Sequence, residues 1–228
     1  MPYRKTVLAT GEIYHVLNRG IAQAPIFLSK RDYLRFLSLI SFYRFFSPSL
    51  SYSHYERLPV EARKEFFEDM EKRHPKLVDI YAYCLMPNHF HLLLKQIFDK
   101  AISIMLSNLQ NSYAKYFDLK NKRQGALFQS MFKAVLIETD EQFLHVSRYI
   151  HLNPNTAFLI EIEKLSSYTW SSFPEYLNAR PTSFVTTREI LDMLDGSNRC
   201  EKYRRFVFDQ AEYQQKLGRI KHLCLENP

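Results

Sequence analysis

The sequence is poor in residues that loosen or cross-link a chain, since its 228 residues include 5 glycines and 3 cysteines. So few glycines argue against long flexible linkers. Cys84, Cys200 and Cys224 are widely separated and form no C-x-x-C pair, so they indicate neither a disulfide framework nor a cysteine-based zinc site. We therefore expect a reducing, cytoplasmic location.

Three further features are missing from the sequence. No stretch approaches about 18 consecutive apolar residues, and the basic start of the chain runs into a polar segment rather than an apolar signal core. We therefore expect no membrane association. The sequence also contains no G-x-x-x-x-G-K-[ST] motif, the phosphate loop typical of one class of nucleotide-binding proteins.

Positive charge and aromatic rings are plentiful. Lys and Arg number 31 against 24 Asp and Glu, which gives a net charge of +7, and the chain has 15 Tyr and 18 Phe. A basic surface favours polyanions, and rings set among Lys and Arg suit stacking on unpaired bases. The same rings also suit a hydrophobic core, so composition alone leaves nucleic-acid binding open.

The periodicity of apolar residues predicts alternating strands and helices. The predicted strands are 11–18, 78–86, 89–95 and 132–138, and the main helices begin after Ser29, at about 101 and after Thr139. The order β-α-β-β-α-β-α predicts an α+β, ferredoxin-like fold, an antiparallel four-stranded sheet with helices packed on one face.

The predicted domain boundaries follow from the same pattern. We expect one domain over 1–178, with a helical insertion at about 47–76, and a helical C-terminal extension over 179–228. Ser29 with Asp32, and Thr139 with Gln142, resemble capping boxes that open helices. Asn153-Pro154 is expected to end the helix that begins after Thr139, because proline cannot continue a helix.

His89 and His91 are the first candidate site residues. Side chains alternate across a strand, so both imidazoles project to the same face and can reach one ion. A His-x-His pair also arises by chance in a chain with 8 histidines. Two polar rings at the start of an apolar strand need a partner, and a metal ion and a chance pair remain equal alternatives here.

Tyr149 and Asn153 are the second candidate pair. They are four residues apart and therefore neighbours on one helix face, beside the apolar stripe of Phe143, Ser147 and Ile150. Such positions can reach past the core to the sheet. The alternative is structural, with the Tyr149 ring packed at the surface and Asn153 capping the helix.

Several segments together resemble one known family. Residues 86–94 (MPNHFHLLL) resemble the HUH signature of the single-tyrosine transposases, which include the IS200-like and REP-associated tyrosine transposases. Further segments look like the same family, and they occur in matching order along the chain: 14–16 (YHV), 18–20 (NRG), 127–129 (LFQ), 132–134 (FKA) and 147–154 (SRYIHLNP).

The resemblance implies a transposase that recognises a DNA hairpin and cleaves and rejoins single-stranded DNA through a 5′-phosphotyrosine. It implies Tyr149 as the nucleophile and a divalent metal, Mg²⁺ or Mn²⁺, held by His89, His91 and Asn153. Family members carry Gln or Asn at the last position. They occur as monomers or homodimers, and in some dimers the tyrosine acts in trans.

Candidate DNA contacts near the expected site are cationic side chains: Arg19, Lys115, Lys120, Lys122, Arg123, Lys133 and Arg148. A second basic group near the C-terminus is either another DNA-binding surface or a solvated helix face: Lys202, Arg204, Arg205, Lys216, Arg219 and Lys221. Two alternatives to a strand transferase stay open. One is a non-catalytic single-stranded nucleic-acid-binding protein on the same fold, and the other is a metal-dependent hydrolase in which water attacks.

Overall fold

A computed structural model describes residues 7–46, 48–129, 131–181 and 184–215. The strands are β1 (Ile13–Arg19), β2 (Val78–Met86), β3 (His89–Gln96) and β4 (Lys133–Ile137). The helices are α1 (Lys30–Tyr43), α2 (Tyr52–Tyr55), α3 (Val60–Arg73), α4 (Ala101–Asn121), α5 (Asp140–Thr156), α6 (Phe173–Tyr176), α7 (Arg188–Asp192) and α8 (Arg199–Phe208). Short 3₁₀ helices span Ile21–Gln23 and Ile162–Ser167.

The four strands form one antiparallel sheet in the order β2-β3-β1-β4, with helices packed on it. This is the strand order of a ferredoxin-like sandwich, so the predicted fold class is confirmed. None of the helices in the described ranges is long and apolar enough to cross a membrane.

The chain forms two compact units. The first contains the described residues up to Asp79 together with Pro87–His89 and Leu94–Leu136, and the second contains Ile80–Met86, Phe90–Leu93 and the described residues from Ile137 onward. The predicted domain boundary at residue 178 stays a prediction.

In the first unit, α1 packs against α4. The rings of Phe27 and Phe36 surround Tyr113 of α4, and the Tyr113 hydroxyl donates to the carbonyl oxygen of Ile26 at 2.5 Å. Aromatic rings stabilise a core when their edges and faces meet in this way. Much of the aromatic content of the sequence is therefore structural.

In the second unit, segments from the C-terminal part of the chain bond to β2. The backbone N–H of Leu85 donates to the carbonyl oxygen of Trp170 at 2.8 Å, and the N–H of Thr186 donates to that of Ile80 at 2.8 Å. These bonds satisfy backbone groups of β2 that the sheet order leaves at an edge. Helix α8 packs on α5 in the same unit.

Helix α5 differs from its prediction at one end. At its start Thr139 Oγ1 accepts from the N–H of Gln142 at 3.1 Å, as the capping box predicts. The expectation that Asn153-Pro154 ends the helix is wrong, because α5 continues to Thr156. Proline removes one N–H donor, but the N–H of Ala157 still donates to the carbonyl oxygen of Asn153 at 2.9 Å, so the last turn holds.

Candidate active site

The turn that precedes β3 is held by the segment that follows β1. The backbone N–H of Gly20 donates to the carbonyl oxygen of Asn88 at 2.8 Å, and the N–H of Ile26 donates to that of Pro87 at 2.8 Å. Position 20 requires glycine, since a Cβ there would collide with the backbone four residues later. This anchoring fixes the start of β3, where His89 lies.

Asn88 sets the tautomer of His89. Its Nδ2 donates to the carbonyl oxygen of Gln23 at 3.1 Å, and its Oδ1 lies 2.6 Å from His89 Nδ1. Because an amide oxygen only accepts, Nδ1 carries the proton and Nε2 carries the lone pair. Burial, reinforced by the charge of Arg19, lowers the pKa of His89 to about 4, so the imidazole is neutral at pH 7.

The second unit brings His91 and Tyr149 together. His91 is 4% exposed, Tyr149 is 40% exposed, and their ring centroids lie 5.8 Å apart in an edge-to-face arrangement. His91 follows His89 by two residues on β3, so strand alternation gives the two imidazoles the same side. Tyr149 thus lies beside a histidine and is open to solvent.

Asn153 lies one helical turn after Tyr149 on α5. Its Nδ2 donates to the carbonyl oxygen of Tyr149 at 2.8 Å. This bond uses the amide nitrogen, so the amide oxygen, which is the atom that binds cations, takes no part in it. The structure therefore places His91, Tyr149 and Asn153 together in one unit.

The opposite face of α5 is fastened to the protein by a buried polar network. His151 is fully buried, its Nδ1 lies 2.8 Å from the Tyr203 hydroxyl, and its Nε2 lies 2.7 Å from Ser172 Oγ. The Tyr203 hydroxyl also lies 2.8 Å from Ser147 Oγ. Burial lowers the pKa of His151 to about 3, so it is neutral in the folded protein.

Sequence reasoning assigned no role to this network or to Asn88. His151 lies inside the SRYIHLNP segment, and Ser147 precedes it by one helical turn, so a polar pair on the buried face of α5 was the available signal. Its partners Ser172 and Tyr203 are far away in sequence and carry no such signal.

Three of the predicted DNA contacts have protein partners. Lys120 Nζ lies 2.5 Å from Oδ1 of the buried Asp32, and Arg123 Nη1 lies 3.3 Å from Oδ1 of Asp118. Arg148 is 8% exposed, and its guanidinium stacks over the ring of Phe206 in α8. Part of the basic charge is therefore balanced or packed inside the fold.

The remaining predicted contacts are more open. Lys115, Lys122 and Lys133 are exposed, and Arg19 is half-buried. In the second basic group Lys202, Arg204 and Arg205 are exposed on α8, whereas Lys216, Arg219 and Lys221 lie outside the described residues. DNA contact stays a prediction for all of these side chains.

No group of three or more His, Cys, Asp or Glu side chains in the described ranges is placed to hold a metal ion. The predicted ligand set is of another kind, two imidazoles and one amide. Its members have the chemistry of cation ligands, since His89 is neutral and Asn153 offers a carbonyl oxygen.

Comparison with known proteins gives a match to a family model and matches to solved structures. Residues 59–153 match the family model of the IS200-like transposases. The fold is similar to a solved structure described as the REP-associated tyrosine transposase bound to a REP hairpin, with a TM-score of 0.51, 14% identity, and coverage of 86% of this chain and 95% of that chain. No curated protein matches the sequence. The resemblance predicted from the sequence is thus confirmed as a similarity, carried by the family model over residues 59–153 and by the similar fold.

Proposed function

We propose that this chain is a transposase that cleaves and rejoins single-stranded DNA, with Tyr149 as the nucleophile. The observation that carries the proposal is the meeting of His91 and Tyr149, with Asn153 one helical turn later on the same helix. Tyr149 is exposed enough to receive a large substrate while its helix is fastened on the opposite face.

In the proposed reaction the Tyr149 hydroxyl oxygen attacks a phosphorus of the DNA backbone. A new bond forms between that oxygen and phosphorus, the bond from phosphorus to the 3′ oxygen breaks, and the tyrosine proton ends on the 3′-hydroxyl. The 5′-phosphotyrosine keeps the energy of the broken bond, so a later 3′-hydroxyl can reseal the strand without ATP.

His89, His91 and Asn153 are the residues proposed to hold a divalent cation, Mg²⁺ or Mn²⁺. When bound, such an ion would neutralise charge on a non-bridging phosphate oxygen and align the phosphorus. The neutral His89 and the amide oxygen of Asn153 fit this role, because they leave the ion's positive charge undiminished. Asn88 and Gln23 would orient His89 as outer-shell partners of a metal ligand commonly do.

The proposed substrate is single-stranded DNA that contains a hairpin. The structurally similar transposase is described as bound to a REP hairpin, and the net charge of this chain is +7. Arg19, Lys115, Lys122 and Lys133 are proposed phosphate contacts. The protein is proposed to act in the cytoplasm as a monomer or a homodimer.

The test is a covalent adduct between protein and DNA. A pool of single-stranded hairpin oligonucleotides is selected for binding and then incubated with the protein and Mn²⁺, and adducts are resolved under denaturing conditions. We expect an adduct with the wild-type protein and none with Tyr149→Phe. The matched control is Tyr213→Phe, which changes another exposed tyrosine of the second unit and should still give an adduct.

Each result has a distinct meaning. An equal adduct from Tyr149→Phe rejects this nucleophile. Binding without an adduct under any metal condition favours the non-catalytic nucleic-acid-binding protein. Cleavage that releases a free 5′-phosphate without an adduct favours a hydrolase.

A further inference from the structure

The first unit contains a cavity lined by residues between 103 and 132, so Tyr149 is not part of it. It has a volume of about 390 Å³ and lies between α4 and the segments 126–129 and 131–132. Pockets of this size are typical of small-molecule sites. The reaction proposed above gives it no role.

One wall of the cavity is a polar stripe on α4. Ser103, Ser107, Gln110 and Asn111 recur at helical spacing and line the cavity, while the apolar face of α4 is buried in the core. The amide of Gln110 is held in place, because its Oε1 accepts from Asn18 Nδ2 at 2.5 Å and its Nε2 donates to the carbonyl oxygen of Leu106 at 3.2 Å. The Asn111 amide on the same wall is exposed, and its Nδ2 donates to Ser107 Oγ at 3.4 Å.

The other wall carries aromatic rings. Phe128 and Phe132 line the cavity, and each is 8% exposed. The Phe128 ring also packs against the Tyr113 ring of the core, with centroids 6.1 Å apart, so its position is supported from behind. A supported ring in a cavity that also carries amide side chains suits a flat ligand with polar edges.

The described lining carries no charged side chain, but three cationic residues are bonded to lining residues or adjoin them in sequence. Exposed Lys115 follows the lining residue Ala114, and exposed Lys133 follows the lining residue Phe132. Arg123 Nη2 donates to the carbonyl oxygen of Ala126, a third lining residue, at 2.8 Å. This distribution of charge favours a ligand with an uncharged part inside the cavity and an anionic part outside it.

We propose that this cavity binds one unpaired nucleobase of a DNA strand, with the phosphates of that strand against the flanking cations. The inference rests on the proposed function, which supplies single-stranded DNA as the substrate. Single-stranded recognition combines stacking on aromatic side chains with hydrogen bonds to base edges. The Gln110 amide is already bonded to protein groups, so Asn111 is the amide that would contact the base edge. Asparagine amides pair well with the N6 and N7 atoms of adenine, so adenine is the preferred base.

Asn111 and Asn108 provide a matched pair for the test. Both are exposed asparagines on α4, but only Asn111 lines the cavity. Binding of fluorescent dA12, dT12, dC12 and a 12-nucleotide abasic strand is measured by anisotropy in EDTA, for the wild type, Asn111→Ala and Asn108→Ala. We expect Asn111→Ala to weaken binding of dA12 about fivefold, the effect of one lost hydrogen bond.

The control measurements isolate the base. Asn108→Ala is expected to bind dA12 within about twofold of the wild type, and all three proteins are expected to bind the abasic strand alike, because that strand keeps its phosphates. Equal effects of the two variants on dA12, or an equal loss on the abasic strand, overturn the inference.

Crosslinking gives a second readout that does not depend on a variant. A dA12 strand in which one adenosine is replaced by 8-azido-deoxyadenosine is irradiated with the wild-type protein, and the modified residue is found by mass spectrometry. We expect crosslinks at Phe128 or Phe132, and crosslinks confined to other residues overturn the inference.

Failure of this inference is distinguishable from failure of the proposed function. A Tyr149-dependent adduct without an Asn111 effect rejects the nucleobase site alone. An Asn111 effect without any adduct supports the nucleobase site and rejects the strand transferase.

Discussion

The two faces of α5 differ in what holds their polar groups. On the inner face, Ser147 and His151 are fully buried and bonded to Ser172 and Tyr203 of the same unit. On the outer face, Tyr149 is 40% exposed and meets the ring of His91. The outer face also carries Asn153, whose amide nitrogen bonds the helix's own backbone.

With these two different faces, α5 can contribute to stability on one side and to chemistry on the other. Both ring nitrogens of His151 are engaged by hydroxyl groups inside the core, so this imidazole fastens the helix. A nucleophile requires a fixed backbone and an accessible side chain, and the opposite face supplies both at Tyr149. Substitutions on each face should separate the two roles.

The largest expected effect is on the outer side, at His91. We expect His91→Ala to slow adduct formation about a thousandfold, because a lost metal ligand removes several kcal/mol of charge stabilisation. DNA affinity should stay within about threefold, since binding draws on many phosphate contacts. Rates and affinities are compared with those of His145→Ala, an exposed histidine of α5, and an equal loss in both variants contradicts the assignment.

The next effect is on the inner side, at His151. We expect His151→Leu to lower the free energy of unfolding by about 2 to 3 kcal/mol, because it removes two buried hydrogen bonds and leaves hydroxyls in the core with fewer partners. Urea unfolding measures the loss. If unfolding is unchanged, the network does not fasten α5.

A smaller effect is expected at Asn153. We expect Asn153→Ala to weaken Mn²⁺ affinity about tenfold while changing the free energy of unfolding by less than about 0.5 kcal/mol, since the residue is half-exposed. Asn153→Gln keeps an amide oxygen and should retain more affinity. Calorimetric titration with Mn²⁺ tests this, and equal affinities for the wild type and Asn153→Ala exclude the residue as a ligand.

The smallest expected effect is that of a single pH unit on stability, which acts through His151. Its pKa is lowered to about 3 in the fold, so between about pH 6.5 and 3 the unfolded chain binds a proton that the folded protein does not. Stability therefore falls as the pH falls through this window, by about 1 kcal/mol per pH unit. Urea unfolding at pH 7, 6 and 5 should give a shallower slope for His151→Gln than for the wild type, and equal slopes contradict this origin.

Local patterns predicted the sheet and the motifs well. Alternation placed β2 and β3 within a residue of their observed bounds, and Thr139 with Gln142 correctly opened α5. Such features depend on neighbours a few residues apart, which a sequence displays directly. The end of α5 was predicted wrongly. A proline in the last turn removes one N–H donor, but the neighbouring backbone hydrogen bonds keep that turn helical.

Contacts between distant parts of the chain were out of reach of the sequence. The proton on His89 Nδ1 depends on the carbonyl of Gln23, which turns the amide of Asn88 toward the ring. The ion pair of Lys120 with buried Asp32 joins α4 to α1. The sequence had instead indicated Lys120 as a DNA contact. No local pattern specifies which distant group faces such a side chain.

The sequence by itself determined the order of strands and helices, the spacing of His89 and His91, and the single helical turn from Tyr149 to Asn153. These depend on backbone periodicity, which short stretches of chain set on their own. Only the tertiary structure decided that the His91 ring contacts the Tyr149 ring and that both ring nitrogens of His151 are hydrogen-bonded to Ser172 and Tyr203. Burial and hydrogen-bond partners arise when distant segments pack, so they exist only in the folded chain.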